Sequence, residues 1–169
     1  EVDFSRIRVA ATGAESVPAP MLEEWQQRGI LLQEVYGMTE TSGVVCMAQK
    51  ADLPEHMGYA GRALPYGDVK VMKSDNEEAA PGELGEIWMR GASVTPGYWN
   101  RPDATEEAFS GDWLKSGDIG RRDETGRLSV EDRIKDMYIS GGENVYPAEV
   151  ESILMAHPDI REVAIIGVT

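Results

Sequence analysis

Hydrophobic positions near the start of the chain change from alternating to helical spacing and back. This pattern predicts a strand over residues 7–11, then a helix, then a second strand over residues 30–35. Met21, Leu22 and Trp25 recur at helical spacing and are expected to form the buried face of that helix. The order strand, helix, strand predicts a piece of parallel sheet with a crossover helix.

From residue 44 onwards the pattern changes to short apolar runs separated by turns rich in Gly, Pro and Asp. Such runs occupy residues 69–72, 86–89 and 128–130 and predict an antiparallel, barrel-like β region. One short helix is expected over residues 102–109, with Asp103 as its cap.

The last part of the chain predicts a hairpin, a helix and a strand. Residues 134–139 form the first hairpin strand, and Gly141 and Gly142 allow the reversal. A helix over residues 147–156 has an apolar face of Val150, Ile153 and Leu154, and a strand over residues 163–168 follows.

These patterns predict a mixed α+β fold. It contains a partial α/β sheet piece over residues 1–43, the β-rich region over residues 44–131, and the start of a small α+β C-terminal domain over residues 132–169.

Charge and cysteine content exclude several classes of partner. The 169 residues include 16 basic and 30 acidic side chains, a formal net charge of −14, which argues against nucleic acid and against an anionic membrane surface. The single Cys46 forms no internal disulfide, which is typical of a reducing compartment and predicts a cytoplasmic protein. The longest apolar run, residues 163–168, is too short for a transmembrane segment.

Three polar segments are candidates for chemistry, and each has a plain structural alternative. The segment 36–43 combines hydroxyls, one carboxylate and two glycines, which suits Mg²⁺ and phosphate, or a polar turn. Asp118, at the expected end of a strand, suits paired sugar hydroxyls, or a turn cap. Asp132, Arg133 and Lys135 precede the glycine turn, as a hinge beside a ligand or as a solvated hairpin edge.

Taken together, the segments resemble the adenylate-forming superfamily of acyl-CoA synthetases, luciferases and peptide-synthetase adenylation domains. The resemblance is carried, in family order, by residues 36–40 (YGMTE), 82–87 (GELGEI) with 97–102 (GYWNRP), 113–118 (WLKSGD) and 132–151. It is strongest to bacterial-type fatty- or aryl-acid–CoA ligases, and it covers nearly the whole chain.

The resemblance implies a role for each matched residue. Thr39 is expected to contact the AMP phosphate and Glu40 to hold Mg²⁺. Asp118 is expected to bind both ribose hydroxyls, with Arg133 beside it. Further contacts to the nucleotide, with Tyr36 stacked on the adenine, are implied for Gly13, Ala14, Glu15, Tyr36 and Gly37.

A two-state enzyme is also implied. Lys135 falls at the hinge between the end of a large domain (residues 1–131) and the start of a small one (residues 132–169). The turn at Gly141 and Gly142 is expected to enter the active site in the second state, near the path of the CoA pantetheine. The implied partners are ATP, Mg²⁺, CoA and a small-molecule carboxylic acid. The resemblance also implies a role in fatty acid metabolism.

The reaction implied is the conversion of an acid and ATP to acyl-AMP and pyrophosphate, followed by formation of a CoA thioester and AMP. A family phosphate loop and a near-terminal lysine are absent from the sequence. The chain is therefore expected to be a fragment that is inactive and self-associates when alone.

Two alternatives remain. An amino-acid adenylation domain usually carries Asp at the hinge, so Lys135 and residues 144–147 favour the ligase. The second alternative is a noncatalytic, acidic, β-rich binding module.

Overall fold

The computed structural model describes residues 3–14, 17–53, 55–73 and 77–168. Its helices are α1 (Ala19–Gln27), α2 (Pro102–Ala108) and α3 (Pro147–Met155). The strands of these residues are, in chain order, β1 (Ala10–Thr12), β2 (Leu32–Met38), β3 (Gly43–Met47), β4 (Arg62–Ala63), β5 (Gly67–Met72), β6 (Gly85–Gly91), β7 (Phe109–Ser110), β8 (Trp113–Arg122), β9 (Leu128–Arg133), β10 (Tyr138–Ser140) and β11 (Glu143–Val145).

The predicted parallel sheet piece is confirmed. β1 pairs in parallel with β2, and α1 connects them, while β3 and β4 extend the sheet in antiparallel order. Of the expected helical stripe, Leu22 is buried, but Met21 is exposed. Neighbouring helical positions point about 100° apart, so the face that buries Leu22 turns Met21 outward. Trp25 packs edge-on against Phe4, with ring centroids 5.8 Å apart.

β2 extends further than predicted, into the segment expected to be a loop. It runs to Met38 and is followed by a single 3₁₀ turn, Thr39–Thr41, before β3 returns along it. Gly37 makes this return possible, because a Cβ on it would overlap the carbonyl oxygen of Gly43. The polar segment is therefore a tight turn between two paired strands.

The β-rich region is antiparallel, as predicted, and forms a curled half-barrel. β5, β6, β8 and β7 lie in that order, and β9 pairs with the other end of β8. The core holds Val45, Cys46, Val69, Val71, Ile87, Met89, Leu114 and Leu128. Burial in this core raises the pKa of the Cys46 thiol to about 12.

The helix α2 forms where predicted, but Asp103 does not cap it. Arg101 occupies the cap position, and the Asp103 carboxylate accepts two hydrogen bonds from the Arg101 guanidinium, both of 3.0 Å. Pro102 at the first helical position already lacks the N–H that a cap would satisfy there.

The C-terminal stretch differs most from prediction. The hairpin is shorter, since residues 134–136 form a turn and β10 begins at Tyr138. Ile153, expected on the buried face of α3, is exposed. Residues 163–168 form no strand, because no other described segment pairs with their backbone. The Ile165 N–H instead donates to the Glu151 carboxylate at 2.7 Å.

The described helices are short, at most nine residues each. None of α1, α2 and α3 is long and apolar enough to cross a bilayer.

Candidate active site

Tyr36, Asp118 and Arg133 meet although they come from three different strands. The register of β8 and β9 sets Asp118 opposite Arg133, whose Nε lies 3.7 Å from Oδ1 of Asp118. The Tyr36 hydroxyl donates to Oδ2 of Asp118 at 2.6 Å, across 82 positions of sequence. Asp118 lies inside β8 rather than at the end of a strand. This cluster joins the two sheets at one half-buried carboxylate.

The electrostatics of the cluster keep the Tyr36 hydroxyl protonated, so that it donates a hydrogen bond to Asp118. Burial raises the pKa of Asp118, and the Tyr36 hydrogen bond and the Arg133 charge oppose that rise. Burial, and then the negative charge of Asp118, raise the pKa of Tyr36 far above its ordinary value. The phenol therefore stays protonated at neutral pH, and the carboxylate retains lone pairs for further hydroxyl donors.

The turn that carries Thr39 and Glu40 is fixed from inside by Thr41. The Thr41 side chain is fully buried, and its hydroxyl oxygen lies 3.0 Å from the N of Met38, 2.9 Å from the Met38 carbonyl and 2.6 Å from the Gly43 carbonyl. Thr39, by contrast, is exposed, and its hydroxyl has no hydrogen-bond partner among the described residues. The turn thus presents the Thr39 hydroxyl outward on a rigid base.

Among the described residues, one side chain makes a hydrogen bond to the Glu40 carboxylate, and the sequence assigned no role to that residue. The Tyr98 hydroxyl donates to Oε1 of Glu40 at 2.8 Å, and this hydrogen bond raises the pKa of Tyr98. The backbone of Glu40 is also held, since the Thr95 N–H donates to its carbonyl at 2.7 Å. Tyr98 belongs to the motif at residues 97–102, so its place in a family pattern was the available signal.

The donor set at this turn fits a magnesium ion that is shared with a phosphate. Mg²⁺ is commonly held through one or two carboxylates, with waters and substrate phosphates completing its shell. Glu40 provides one carboxylate, and Thr39 adds a neighbouring hydroxyl. Within the described ranges no group of three or more His, Cys, Asp or Glu side chains forms a protein-only metal cage.

The predicted adenine loop is described only in part. Gly13 follows β1 and lies against Val35 on β2, where an added Cβ would come within 2.6 Å of the Val35 Cγ2 atom. Ala14 adopts a left-handed φ of 77°. Glu15 and Ser16 lie outside the described residues. Gly13 thus lies beside Val35, the residue that precedes Tyr36 on β2.

The predicted hinge lies two residues after Arg133, and the glycine turn follows it between β10 and β11. Lys135 is exposed in the turn after β9, which is closed by the Asp136 N–H donating to the Arg133 carbonyl at 3.1 Å. Gly141 and Gly142 form the turn between β10 and β11, with φ values of 62° and 92°. Among the residues that the structure covers, no hydrogen bond or ion pair links that turn to Glu40 or Asp118.

Asp132 has a structural contact that sequence reasoning did not assign. Its Oδ2 accepts from the Ala148 N–H at 3.1 Å, in the first turn of α3, and its Oδ1 accepts from the Arg133 N–H at 2.7 Å. The start of α3 is therefore tied to the strand that carries Arg133.

Known CoA ligases are similar to this chain in sequence. A 2-succinylbenzoate–CoA ligase of Geobacillus kaustophilus is 46% identical over 162 residues, which are 95% of this chain and 33% of that protein. A long-chain-fatty-acid–CoA ligase of Escherichia coli O157:H7 is 41% identical over 169 residues, 99% of this chain and 30% of that protein. The chain therefore spans about a third of the length of these relatives.

Solved structures of CoA synthetases have a similar fold. The o-succinylbenzoate CoA synthetase of Bacillus subtilis, in complex with its acyl-adenylate intermediate OSB-AMP, superposes with a TM-score of 0.91 at 40% identity, covering 96% of this chain and 34% of that one. The same enzyme with ATP and a magnesium ion gives a TM-score of 0.89, covering 95% and 34%.

The family model described as "AMP-binding enzyme" matches residues 1–99, more than half of the chain. The chain belongs to the AMP-binding enzyme family.

Proposed function

We propose that the chain is part of an AMP-forming carboxylic acid–CoA ligase. The observation that carries the proposal is the convergence of Tyr36, Arg133 and the Asp118 carboxylate, in a chain whose neighbouring turn presents Thr39 and Glu40. The relatives support it, because they are named as CoA ligases and the chain matches them over nearly all of its length.

In the first half-reaction, the carboxylate of the acid attacks the α-phosphorus of ATP, and pyrophosphate leaves. Asp118 accepts hydrogen bonds from the two ribose hydroxyls, while Tyr36 and Arg133 keep its oxygens oriented. The exposed Thr39 hydroxyl donates to the α-phosphate. Glu40 would hold a magnesium ion, which supplies positive charge against the charge developing on the phosphates.

In the second half-reaction, the CoA thiolate attacks the acyl carbonyl and AMP leaves with one oxygen of the original carboxylate. We assign residues 1–131 to the large domain and residues 132–169 to the small one, with the turn at Lys135 as the hinge. Two features support this hinge: Lys135 is exposed, and its N–H makes no hydrogen bond to a described residue. Rotation there would bring the turn at Gly141 and Gly142 towards the nucleotide.

The partners are ATP, CoA and a small carboxylic acid, acting in the cytoplasm. The acid belongs to the fatty or aryl class that the relatives' names span. The buried, unreactive Cys46 fits a reducing compartment.

The test is product analysis on the full-length natural protein that contains this chain. We expect ATP, Mg²⁺, CoA and a panel of aliphatic and aryl acids to yield AMP and an acyl-CoA with at least one acid. Asp118→Asn should raise the KM for ATP about tenfold, as expected for loss of a charge-assisted hydrogen bond. Asp68→Asn, at an exposed carboxylate paired with Arg90, is the matched control. ADP as the product, or equal kinetics for both variants, would contradict the proposal.

A further inference from the structure

The loop after β6 packs against the turn that carries Glu40 at three points. The Ser42 hydroxyl donates to the Ser93 carbonyl at 2.9 Å, and the Thr95 N–H donates to the Glu40 carbonyl at 2.7 Å. The third contact is the 2.8 Å hydrogen bond from the Tyr98 hydroxyl to Oε1 of Glu40. The Thr95 contact fixes the backbone of Glu40, the Ser42 contact acts through the Ser42 side chain, and only the Tyr98 contact fixes the Glu40 carboxylate.

Tyr98 is itself held in place by α2. Its N–H donates to the Thr105 hydroxyl at 2.9 Å, and that hydroxyl donates to the Arg101 carbonyl at 2.9 Å. Gly97 allows this approach, because a Cβ there would come within 2.6 Å of the Thr105 methyl carbon. The phenol therefore reaches Glu40 from a rigid backbone.

The contact with Tyr98 leaves the negative charge of the Glu40 carboxylate in place, as a metal-binding side chain requires. Tyr98 is the one hydrogen-bonding side chain on the Glu40 carboxylate among the described residues, and no Lys or Arg there pairs with it. A neutral phenol orients a carboxylate without neutralising it, whereas a guanidinium would compete with a bound cation. No described residue donates a hydrogen bond to Oε2 of Glu40.

We propose that Tyr98 is a positioning residue for Glu40, holding one carboxylate oxygen so that the other faces a nucleotide-bound magnesium ion. The inference rests on the proposed function, which assigns Glu40 to the metal. Partners that orient a metal-binding side chain typically contribute about 10–100-fold in metal affinity. The conversion of the hydroxyl to hydrogen in Tyr98→Phe should therefore weaken the magnesium-dependent part of ATP binding.

The test measures binding without turnover. The dissociation constant of ATP is determined calorimetrically for the full-length protein, without acid or CoA, in excess Mg²⁺ and in EDTA. The ratio of the two constants is the magnesium-dependent gain in affinity. We expect Tyr98→Phe to reduce this gain about tenfold and to leave the EDTA value unchanged. Tyr66→Phe removes an exposed hydroxyl that has no hydrogen-bond partner among the described residues, and it should leave both values unchanged.

A double-variant cycle separates positioning from a general effect. If Tyr98 acts through Glu40, then Tyr98→Phe should have no further effect on the gain when Glu40→Gln is already present. An unchanged gain in Tyr98→Phe, or an equal loss in both backgrounds, would overturn the positioning role while leaving the proposed function intact. Two results would overturn the metal assignment and the inference with it. One is a wild-type protein that shows no magnesium-dependent gain in ATP affinity, and the other is a Glu40→Gln variant that keeps the full gain. Equal thermal midpoints for wild type and Tyr98→Phe establish that the variant is folded.

Discussion

Gly37 is the residue at which the backbone of the site is packed most tightly. It lies at a register shift between β2 and β3, two residues before Thr39, and a Cβ would overlap the Gly43 carbonyl oxygen. The turn that presents Thr39 and Glu40 depends on this close approach.

We predict that Gly37→Ala lowers the free energy of unfolding by about 1–3 kcal/mol, the usual cost of overpacking. Gly67→Ala is the matched control, since Gly67 is also a strand glycine but its Cβ would meet nothing closer than 3.3 Å. Urea unfolding of both variants gives the comparison. A Gly37→Ala variant no less stable than the control would show that β2 and β3 separate easily.

At this scale the motifs predicted that Arg133 lies beside Asp118, as it does in the structure, but they did not predict the contacts of Tyr36 and Tyr98. The roles implied for Asp118, Arg133 and Glu40 came from motifs, and they stay predictions. The hydrogen bonds of Tyr36 and Tyr98 join positions 82 and 58 residues apart, so they depend on how the sheets fold together. No local pattern in the sequence contains that information.

Among the elements, an ion-pair network joins the short 3₁₀ turn Lys50–Asp52 to the turn between β8 and β9. Arg127 contacts Asp52 at 2.9 Å and Asp123 at 3.0 Å, and Arg62 contacts Asp52 at 2.8 Å. Hydrogen bonding to Arg127 lowers the pKa of Asp52. Burial alone would raise the pKa of Asp123, but hydrogen bonds from Arg127 and Thr125 place it well below its ordinary value.

Because the pKa values of Asp52 and Asp123 are lowered in the folded chain, the stability that the network contributes decreases at low pH. Both carboxyl groups titrate lower in the folded than in the unfolded chain, so their contribution to stability is complete above the ordinary value of 3.8. It is lost as the pH falls through the folded values. Arg127→Gln should therefore lower the thermal midpoint clearly at pH 7 and less at pH 3. Arg90→Gln, in the exposed pair with Asp68, is the control. A constant difference across pH would exclude the network as its source.

The turn at Lys135 gives a second prediction for an element. Proline fixes φ, and at Lys135 it removes no hydrogen bond found among the described residues. We predict that Lys135→Pro in the full-length protein keeps acid-dependent pyrophosphate exchange but loses thioester formation. Exchange is the internal control for folding. An equal loss of both half-reactions would show that the residue is structural.

Elements were predicted best where the strands find partners within the chain. Short apolar runs identified β5, β6 and β9 correctly, and each of these strands pairs with another of them or with β8. Residues 163–168 are as apolar as these strands but have no pairing partner among the described segments, so they form no strand. Apolar composition shows that a segment is to be buried, and pairing decides whether it is a strand.

For the whole molecule, apolar side chains are exposed near the C-terminus. The exposed fractions are 70% for Ile139, 69% for Ile153 and 76% for Ile166. Surface of this kind favours association with other chains. The 169-residue chain alone should therefore self-associate.

Sedimentation of the isolated chain measures this association. We predict oligomers at micromolar concentration, and a shift towards monomer in a variant with Ile139→Lys and Ile166→Lys. Ser140→Lys with Ser152→Lys adds the same charge at exposed polar positions and should leave the oligomers in place. A wild-type chain that sediments as a monomer would contradict the prediction.

The central claim, that this chain belongs to an enzyme that forms an acyl-adenylate, is tested most directly by the fate of the carboxylate oxygens. The full-length protein is given an acid labelled with ¹⁸O in both carboxylate oxygens, together with ATP, Mg²⁺ and CoA. The account predicts AMP carrying one ¹⁸O atom, because AMP leaves the acyl carbonyl with the oxygen that attacked the α-phosphorus. Unlabelled AMP, or ¹⁸O in inorganic phosphate with ADP as the nucleotide product, would contradict it.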